Sequence, residues 1–342
     1  MSRVRAALAP VVVLALAVAA CEQQAALAPD GESVAPAAST SEVLDGNDGC
    51  TPTGSGLDAV VVNQDLTRQT VDVGDCDVGA YFDQDGVVED ATFLQDDDEG
   101  APKVQYAVRV DGAHVEVTAS EVDVVDDFGP QFVAIGYRNG ATGRITDNVI
   151  TGFHRAGILL DGEGTEAVVS GNIVTGVGPK TSGWAENGIQ LSRGATGTVR
   201  DNEVRDHWWD LNNFTSSGII VFGSHDVTVQ GNALAGNDAA FGLTNGDNAN
   251  FIHNQVDVTD EDGDASGIFH AGAVVFSGEN VGFRQNEFTS GSPAGSVNVG
   301  IFVTAAAENT KLIRNTFEGE FSQEIVDQGE ATKLPDPFDP ES

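Results

Sequence analysis

Basic residues are scarce in this chain: Lys and Arg number 16 against 53 Asp and Glu, a formal net charge of -37 over 342 residues. A surface so short of cations cannot gather phosphates, so no nucleic acid is expected as a partner, and the same deficit weighs against polyanions in general. Methionine occurs once and aromatics make up 7% of the chain, which is poor material for a helical bundle. No stretch of the body shows a 3.6-residue apolar period. No G-x-S-x-G occurs, and no C-x-x-C or His pair stands near a cysteine to suggest a metal or thiol site. Glycine is the residue in surplus, with 41 copies.

The one long apolar run is at the start. Arg3 and Arg5 precede Ala6–Ala17, and Val18-Ala19-Ala20 leads into Cys21, the order of an export leader and too short to span a membrane. The cysteine after Val-Ala-Ala resembles the lipobox of bacterial lipoproteins. That resemblance implies lipidation of Cys21 and an exported protein held at a membrane through its anchor alone, facing periplasm or cell exterior. Without residues 1–20 the chain has 14 cations against 53 acids, a net of -39, suited to salty surroundings or to divalent-ion binding. Residues 21–49 lack apolar periodicity and read as a disordered tether, and 334–342, with three prolines, as a disordered tail. The folded domain is then expected over 50–333. Cys50 and Cys76 form an even pair in an oxidising compartment and are expected to be bridged.

Within the body one unit recurs: apolar, two variable residues, Asn, one variable residue, apolar. Its asparagines are Asn148, Asn172, Asn202, Asn232, Asn254, Asn286 and Asn315. A second unit precedes each from Asn172 on, at Gly157-Ile-Leu-Leu, Gly188-Ile-Gln-Leu, Gly218-Ile-Ile-Val, Gly242-Leu-Thr-Asn, Gly272-Ala-Val-Val and Gly300-Ile-Phe-Val. Short β-branched strands bounded by Gly, repeating with no helix between them, make each repeat one coil of a solenoid. Stacked at an inward turn, the asparagines would donate amide to carbonyl from coil to coil, a structural ladder that satisfies polar groups in the interior.

These G-I-x-L and N-x-[VIF] repeats resemble right-handed parallel β-helix proteins of the pectate-lyase-like superfamily, over roughly Gly79 to Phe317. The resemblance implies an all-β fold, a single-stranded right-handed parallel β-helix of about nine or ten coils. It implies little about activity, since many members bind or cleave acidic polysaccharides and others are binding or assembly modules. The run Glu186-Asn-Gly-Ile-Gln-Leu191 resembles exported bacterial members without an established reaction.

Irregularity between coils is confined to one side. From each Asn to the next strand glycine the spacing is 9, 16, 16, 10, 18 and 14 residues, and the longest excursions, 175–187, 205–214 and 257–270, hold every tryptophan. Long loops on a rigid scaffold are where binding usually lives. Trp184, Glu186, Trp208, Trp209 and Asp210 are therefore the candidate glycan-binding residues, with Phe214 beside them. The outward position of the G-I-x-L strand reads Leu159, Gln190, Ile220, Thr244, Val274 and Phe302. It has no carboxylate, which argues against a hydrolase with paired acids. For a lyase, Lys180, Arg205 and His207 are the candidate bases, with Arg155 and His154 as further ones. Asp260, Asp262 and Asp264 have the composition of a Ca²⁺ loop, but an EF-hand register puts Ala265 at its glycine position. Ca²⁺ is the only cofactor suggested. The expectation is a tethered module that binds a neutral or sparsely charged polysaccharide or a cell-envelope component, with self-association through the apolar strand face as a structural variant. A polysaccharide lyase or hydrolase is the alternative.

Overall fold

The computed structural model describes residues 42–95, 105–124, 132–180, 185–209, 215–258, 269–291 and 297–333. Cys21, Trp184, Asp210, Phe214, Asp260, Asp262 and Asp264, together with the leader and tail, lie outside the described residues.

Each coil crosses three sheets in turn. Sheet 1 has 12 strands, from Thr51–Pro52 to Gln323–Asp327, and contains the G-I-x-L segments. Sheet 2 has 10, from Leu66–Thr67 to Lys311–Ile313, and its last seven strands each precede an asparagine turn. Sheet 3 has 11, from Val43–Asp45 to Thr316–Gly319, and its last seven strands each follow that turn. One sheet 2 strand per coil gives ten coils among the described residues. Nearly all pairing is parallel between consecutive coils, and Thr51–Pro52 turns back antiparallel on Asp58–Val62 at the first end. Ordered strand therefore begins inside the segment read as tether, because Val43–Asp45 pairs with Thr70–Asp72. Cys50 and Cys76 are disulfide-bonded with Cα atoms 5.6 Å apart, which ties this entry segment to the second coil; closing such a loop is worth about 3 kcal/mol.

Alternation in each strand sends one set of side chains inward. Ile135, Ile158, Ile189, Ile219 and Phe241 occupy equivalent places in successive sheet 1 strands, and all are buried in one continuous core. Phenylalanines fill the later coils, with Phe251 stacked on Phe283 at 4.7 Å and Phe288 on Phe317 at 5.2 Å between centroids.

The asparagines form an unbroken ladder. Asn148 Nδ2 donates to Asn172 Oδ1 at 2.9 Å, Asn172 to Asn202 at 2.9 Å, Asn202 to Asn232 at 2.9 Å and Asn232 to Asn254 at 3.0 Å, continuing through Asn286 to Asn315. Ser120 takes the slot before Asn148, its backbone N–H donating to Asn148 Oδ1. The residue before each asparagine has a positive φ, from Asp147 at 59°, Gly171 at 69°, Asp201 at 57° and Gly231 at 66° to His253 at 54°, Gln285 at 53° and Arg314 at 53°. Asp and Gly, which adopt this left-handed corner readily, hold it in the first four of these repeats.

One repeat differs from the expected register. Ile220 pairs with Gly242, and Ser217 with Ala239, so Ala240 fills the place assigned to Gly242. Thr244 stands two residues further along, opposite Phe222. The glycine match at 242 misled because a small residue of either kind fits that position.

Candidate functional site

The outer face of sheet 1 carries three columns of side chains running along the solenoid. The first is Tyr106, Val133, Ala156, Asn187, Ser217, Ala239 and Ala271, and the second is Arg109, Gly136, Leu159, Gln190, Ile220, Gly242 and Val274. The third is Asp111, Arg138, Asp161, Ser192, Phe222 and Thr244. A groove of about 430 Å³ lies across them, lined by Gln105, Tyr106, Val133, Arg138, Arg155, Leu159, Asp161, Gln190, Ser192, Arg193 and Phe222.

The groove is organised around Asp161. Arg193 grips it with both Nε, at 2.5 Å to Oδ1, and Nη2, to Oδ2. Arg138 Nη2 reaches Oδ2 at 2.9 Å, and the Ser192 hydroxyl donates to Oδ1 at 3.0 Å. Arg138 Nη1 also donates to the Tyr106 hydroxyl at 2.9 Å. One coil earlier Arg109 and the Tyr81 hydroxyl both donate to Asp111 Oδ2, and the Arg109 guanidinium lies 5.1 Å above the Tyr106 ring. Burial pushes the Asp161 carboxyl up, but the Arg193 hydrogen bond and the nearby Arg138 charge outweigh it and hold the group below the usual carboxylate range. Arg193 is raised in turn, chiefly by its hydrogen bond to Asp161. Two guanidinium groups thus share one carboxylate, while the Arg193 side chain keeps 62% of its surface exposed.

Sheet 1 leaves this network open to solvent because its strands point outward two residues beyond the G-I-x-L centre. Counting one more outward step from Leu159 would have reached Asp161, and the same step in the preceding coils reaches Arg138 and Asp111. The carboxylate expected to be absent from this face is present one step along it. It is already paired, so it supplies no free acid for hydrolysis.

The residues picked from the long loops are placed elsewhere. Glu186 and His207 are fully buried, His207 Nδ1 lying 3.1 Å from Glu186 Oε1, which also accepts Val177 N–H at 3.1 Å. Trp209 is 2% exposed. Trp208 is half-buried and meets His270 edge-on at 5.0 Å. Neither Glu186 nor Trp209 presents a surface to a ligand; with Asp238, which accepts Trp209 N–H and Ser216 N–H, they secure the corner opposite the asparagine ladder. The segments read as loops begin as strand, since Ile173–Lys180 and Glu203–Trp209 pair through Lys180 and Trp209 with a bulge between Thr175 and Gly178. Arg205 points out from sheet 3, held by Thr175 Oγ1 at 3.2 Å and Glu203 at 3.3 Å. It borders a separate depression of about 600 Å³ floored by Ala233, Ala235 and Gly236 and rimmed by Glu203, Asp206, Asp257 and Glu287. Arg205 and the sheet 1 groove therefore belong to different faces. Of the suggested bases, Arg155 lines the sheet 1 groove. Among the described residues no group of three His, Cys, Asp or Glu side chains is arranged to hold a metal ion.

A family model described as right handed beta helix region matches residues 133–317. No curated protein matches the chain by sequence. Among solved structures, a doubly substituted variant of the periplasmic alginate epimerase AlgG is similar with a TM-score of 0.53 at 14% identity, over 80% of this chain and 64% of that one. A singly substituted variant of the same epimerase gives 0.51 at 14% identity, over 73% and 59%. The Dettilon tailspike protein gives 0.48 at 14%, over 84% and 60%. This chain thus spans about three fifths of the length of these proteins, and the likeness is one of fold.

Proposed function

Because this chain belongs to the right-handed β-helix family, we propose that it is an exported glycan-binding module whose ligand lies along the sheet 1 groove and carries carboxylate groups. The observation that carries this reading is the convergence of Arg138 and Arg193 on the single carboxylate of Asp161. In a chain with 16 cations in all, two placed on one anion leave local positive charge where a groove is open. A bidentate guanidinium suits a carboxylate geometrically. This moves the expected ligand from a neutral glycan to an acidic one. The overall negative field would repel such a ligand at low salt, and at physiological ionic strength it is screened beyond about 8 Å, leaving the local groove to decide.

Export through the leader, anchoring through Cys21 and a periplasmic or extracellular location complete the proposal, and the Cys50–Cys76 bridge fits an oxidising compartment. Binding is favoured over catalysis because Asp161 is the one carboxylate among the described lining residues, and its two guanidinium partners keep it from acting as an acid.

Titration calorimetry at 0.15 M salt with oligogalacturonate, oligomannuronate and a neutral β-glucan oligomer tests this. The acidic chains should bind in preference, and Arg193→Gln should weaken them about tenfold, the loss of one charge-assisted contact. Equal binding of the neutral oligomer, or indifference to Arg193→Gln, would refute it. Release of an unsaturated, ultraviolet-absorbing product would replace it with the lyase reading.

A further inference from the structure

The third outward column of sheet 1 changes character halfway along. Its early members, Asp111, Arg138 and Asp161, are charged and paired. Its later members are Phe222, then Thr244, then Phe276, the last placed by donation of Phe276 N–H to Leu243 O. Among the described residues the large apolar side chains left exposed are mostly valines; the aromatic ones are Phe222 at 46% and Phe276 at 43%. Both stand in this one column, two coils or about 9.6 Å apart. Ile220 lies beside them, and Phe302 packs on the Ala239–Ala271–Val274 cluster.

Polar groups around this strip are already engaged. The Ser277 hydroxyl donates to Asn245 Oδ1 at 2.8 Å while accepting Asn245 N–H, and the Thr304 hydroxyl donates to Phe276 O at 2.5 Å. Sugar hydroxyls would find few free partners there, so the strip suits hydrocarbon better than bare sugar. Phe222 lines the charged groove and also opens the apolar strip, which makes the two surfaces continuous. A second copy of the chain is a poor occupant, since each carries a net charge of -37.

We infer that the ligand is amphiphilic: an acidic saccharide whose carboxylate sits by Arg138 and Arg193 and whose alkyl or acyl substituent runs over Phe222 and Phe276. This rests on the carboxylate-binding reading of the groove and extends it to a glycolipid-like ligand class. The orientation is defined, with the charged end toward the first coils and the hydrocarbon toward the last.

The test compares methyl and octyl β-D-glucuronide, below the micelle concentration of the latter, with octyl β-D-glucoside as the uncharged control. The octyl glucuronide should bind about tenfold or more tighter than the methyl compound, from apolar area removed from water. Phe276→Ser, outside the groove lining, should remove most of that gain and leave methyl glucuronide binding unchanged, whereas Phe276→Leu should retain most of it. Arg193→Gln should weaken both glucuronides by the same factor. If neither glucuronide binds, the groove reading and this inference fall together. Equal affinities for methyl and octyl overturn the inference alone, as does an octyl gain that survives Phe276→Ser. Octyl glucoside binding as tightly as octyl glucuronide overturns it too, since the strip would then act without the groove.

Discussion

Asn202 stands in the middle of the ladder, and its removal can be worked through atom by atom. Its Oδ1 accepts Asn172 N–H at 3.0 Å and Asn172 Nδ2 at 2.9 Å, while its Nδ2 donates to Asn232 Oδ1 at 2.9 Å and Val169 O at 3.1 Å. In Asn202→Leu, Asn172 Nδ2 keeps Ile145 O, and Asn232 Oδ1 keeps Asn202 N–H. Asn172 N–H loses the acceptor that Asn202 provided, in a fully buried turn. An orphaned buried donor costs about 1 to 3 kcal/mol, and the lost bonds to partly satisfied neighbours bring the expected destabilisation to about 3 kcal/mol. Asn202→Asp should be worse, because the second oxygen would face two acceptors, Asn232 Oδ1 and Val169 O. Asn315→Leu should cost under about 1 kcal/mol. Asn315 Oδ1 accepts Asn286 N–H at 3.0 Å and Nδ2 at 2.9 Å as in the middle of the ladder, and its Nδ2 donates to Phe283 O, but it is half-buried at the last rung, where water can take over these bonds. Thermal and urea unfolding of the three variants, followed by far-ultraviolet circular dichroism, checks the order. For a domain of this size 3 kcal/mol corresponds to roughly 5 °C in Tm. Equal shifts for Asn202→Leu and Asn315→Leu would refute the reasoning, since it depends on water reaching one rung and not the other.

The groove and the corner each yield a further expectation. Asp161→Asn leaves Arg138 and Arg193 facing a neutral amide and should cost about 1 to 2 kcal/mol, moderated by the exposure of Arg193. Since the folded carboxyl is held below its ordinary value near 3.9, its contribution is fully present above that pH and disappears as pH falls through the lower folded value. The Tm gap between wild type and Asp161→Asn should therefore be constant from about pH 5 to 8 and shrink in stronger acid. A gap that widened on acidification would contradict the pairing. At the opposite corner, a β-carbon on Gly176 would overlap Asp206 O and Glu186 Oε1 and lie 2.7 Å from His207 Nδ1. Gly176→Ala should destabilise by about 2 kcal/mol or more through displacement of the Glu186–His207 pair. An unchanged melt would show that this corner yields easily.

The solenoid was legible in the sequence because its determinants are local and repeated. An asparagine at a fixed offset from apolar residues, preceded by one residue at a left-handed corner, dictates the same turn in each of these coils. Ladder bonds then join residues that already share a repeat position. Where the repeat was matched by residue type instead of by register, at Gly242, the reading slipped by two residues, because Ala240 serves the same steric purpose.

The groove depends on relations that no repeat unit states. Arg193 and Asp161 are 32 residues apart, and only the coil-to-coil register brings their charges onto one face. Arg205 sits in a segment close to the tryptophans yet turns outward on sheet 3, while His207 two residues later turns inward. Strand alternation would put both on one face, and the left-handed Asp206 between them, at φ 67°, breaks it. The tryptophans and acids that stood out in the long loops were conspicuous for composition, but burial is decided by which loop packs over which coil. The sequence by itself therefore determined the stack, its period and its polar interior, all of which follow from short-range patterns. Which side chains meet across coils, the sign of the charge in each groove and the union of a cationic groove with an apolar strip were decided by tertiary structure, because each is a sum over residues that only stacking makes neighbours.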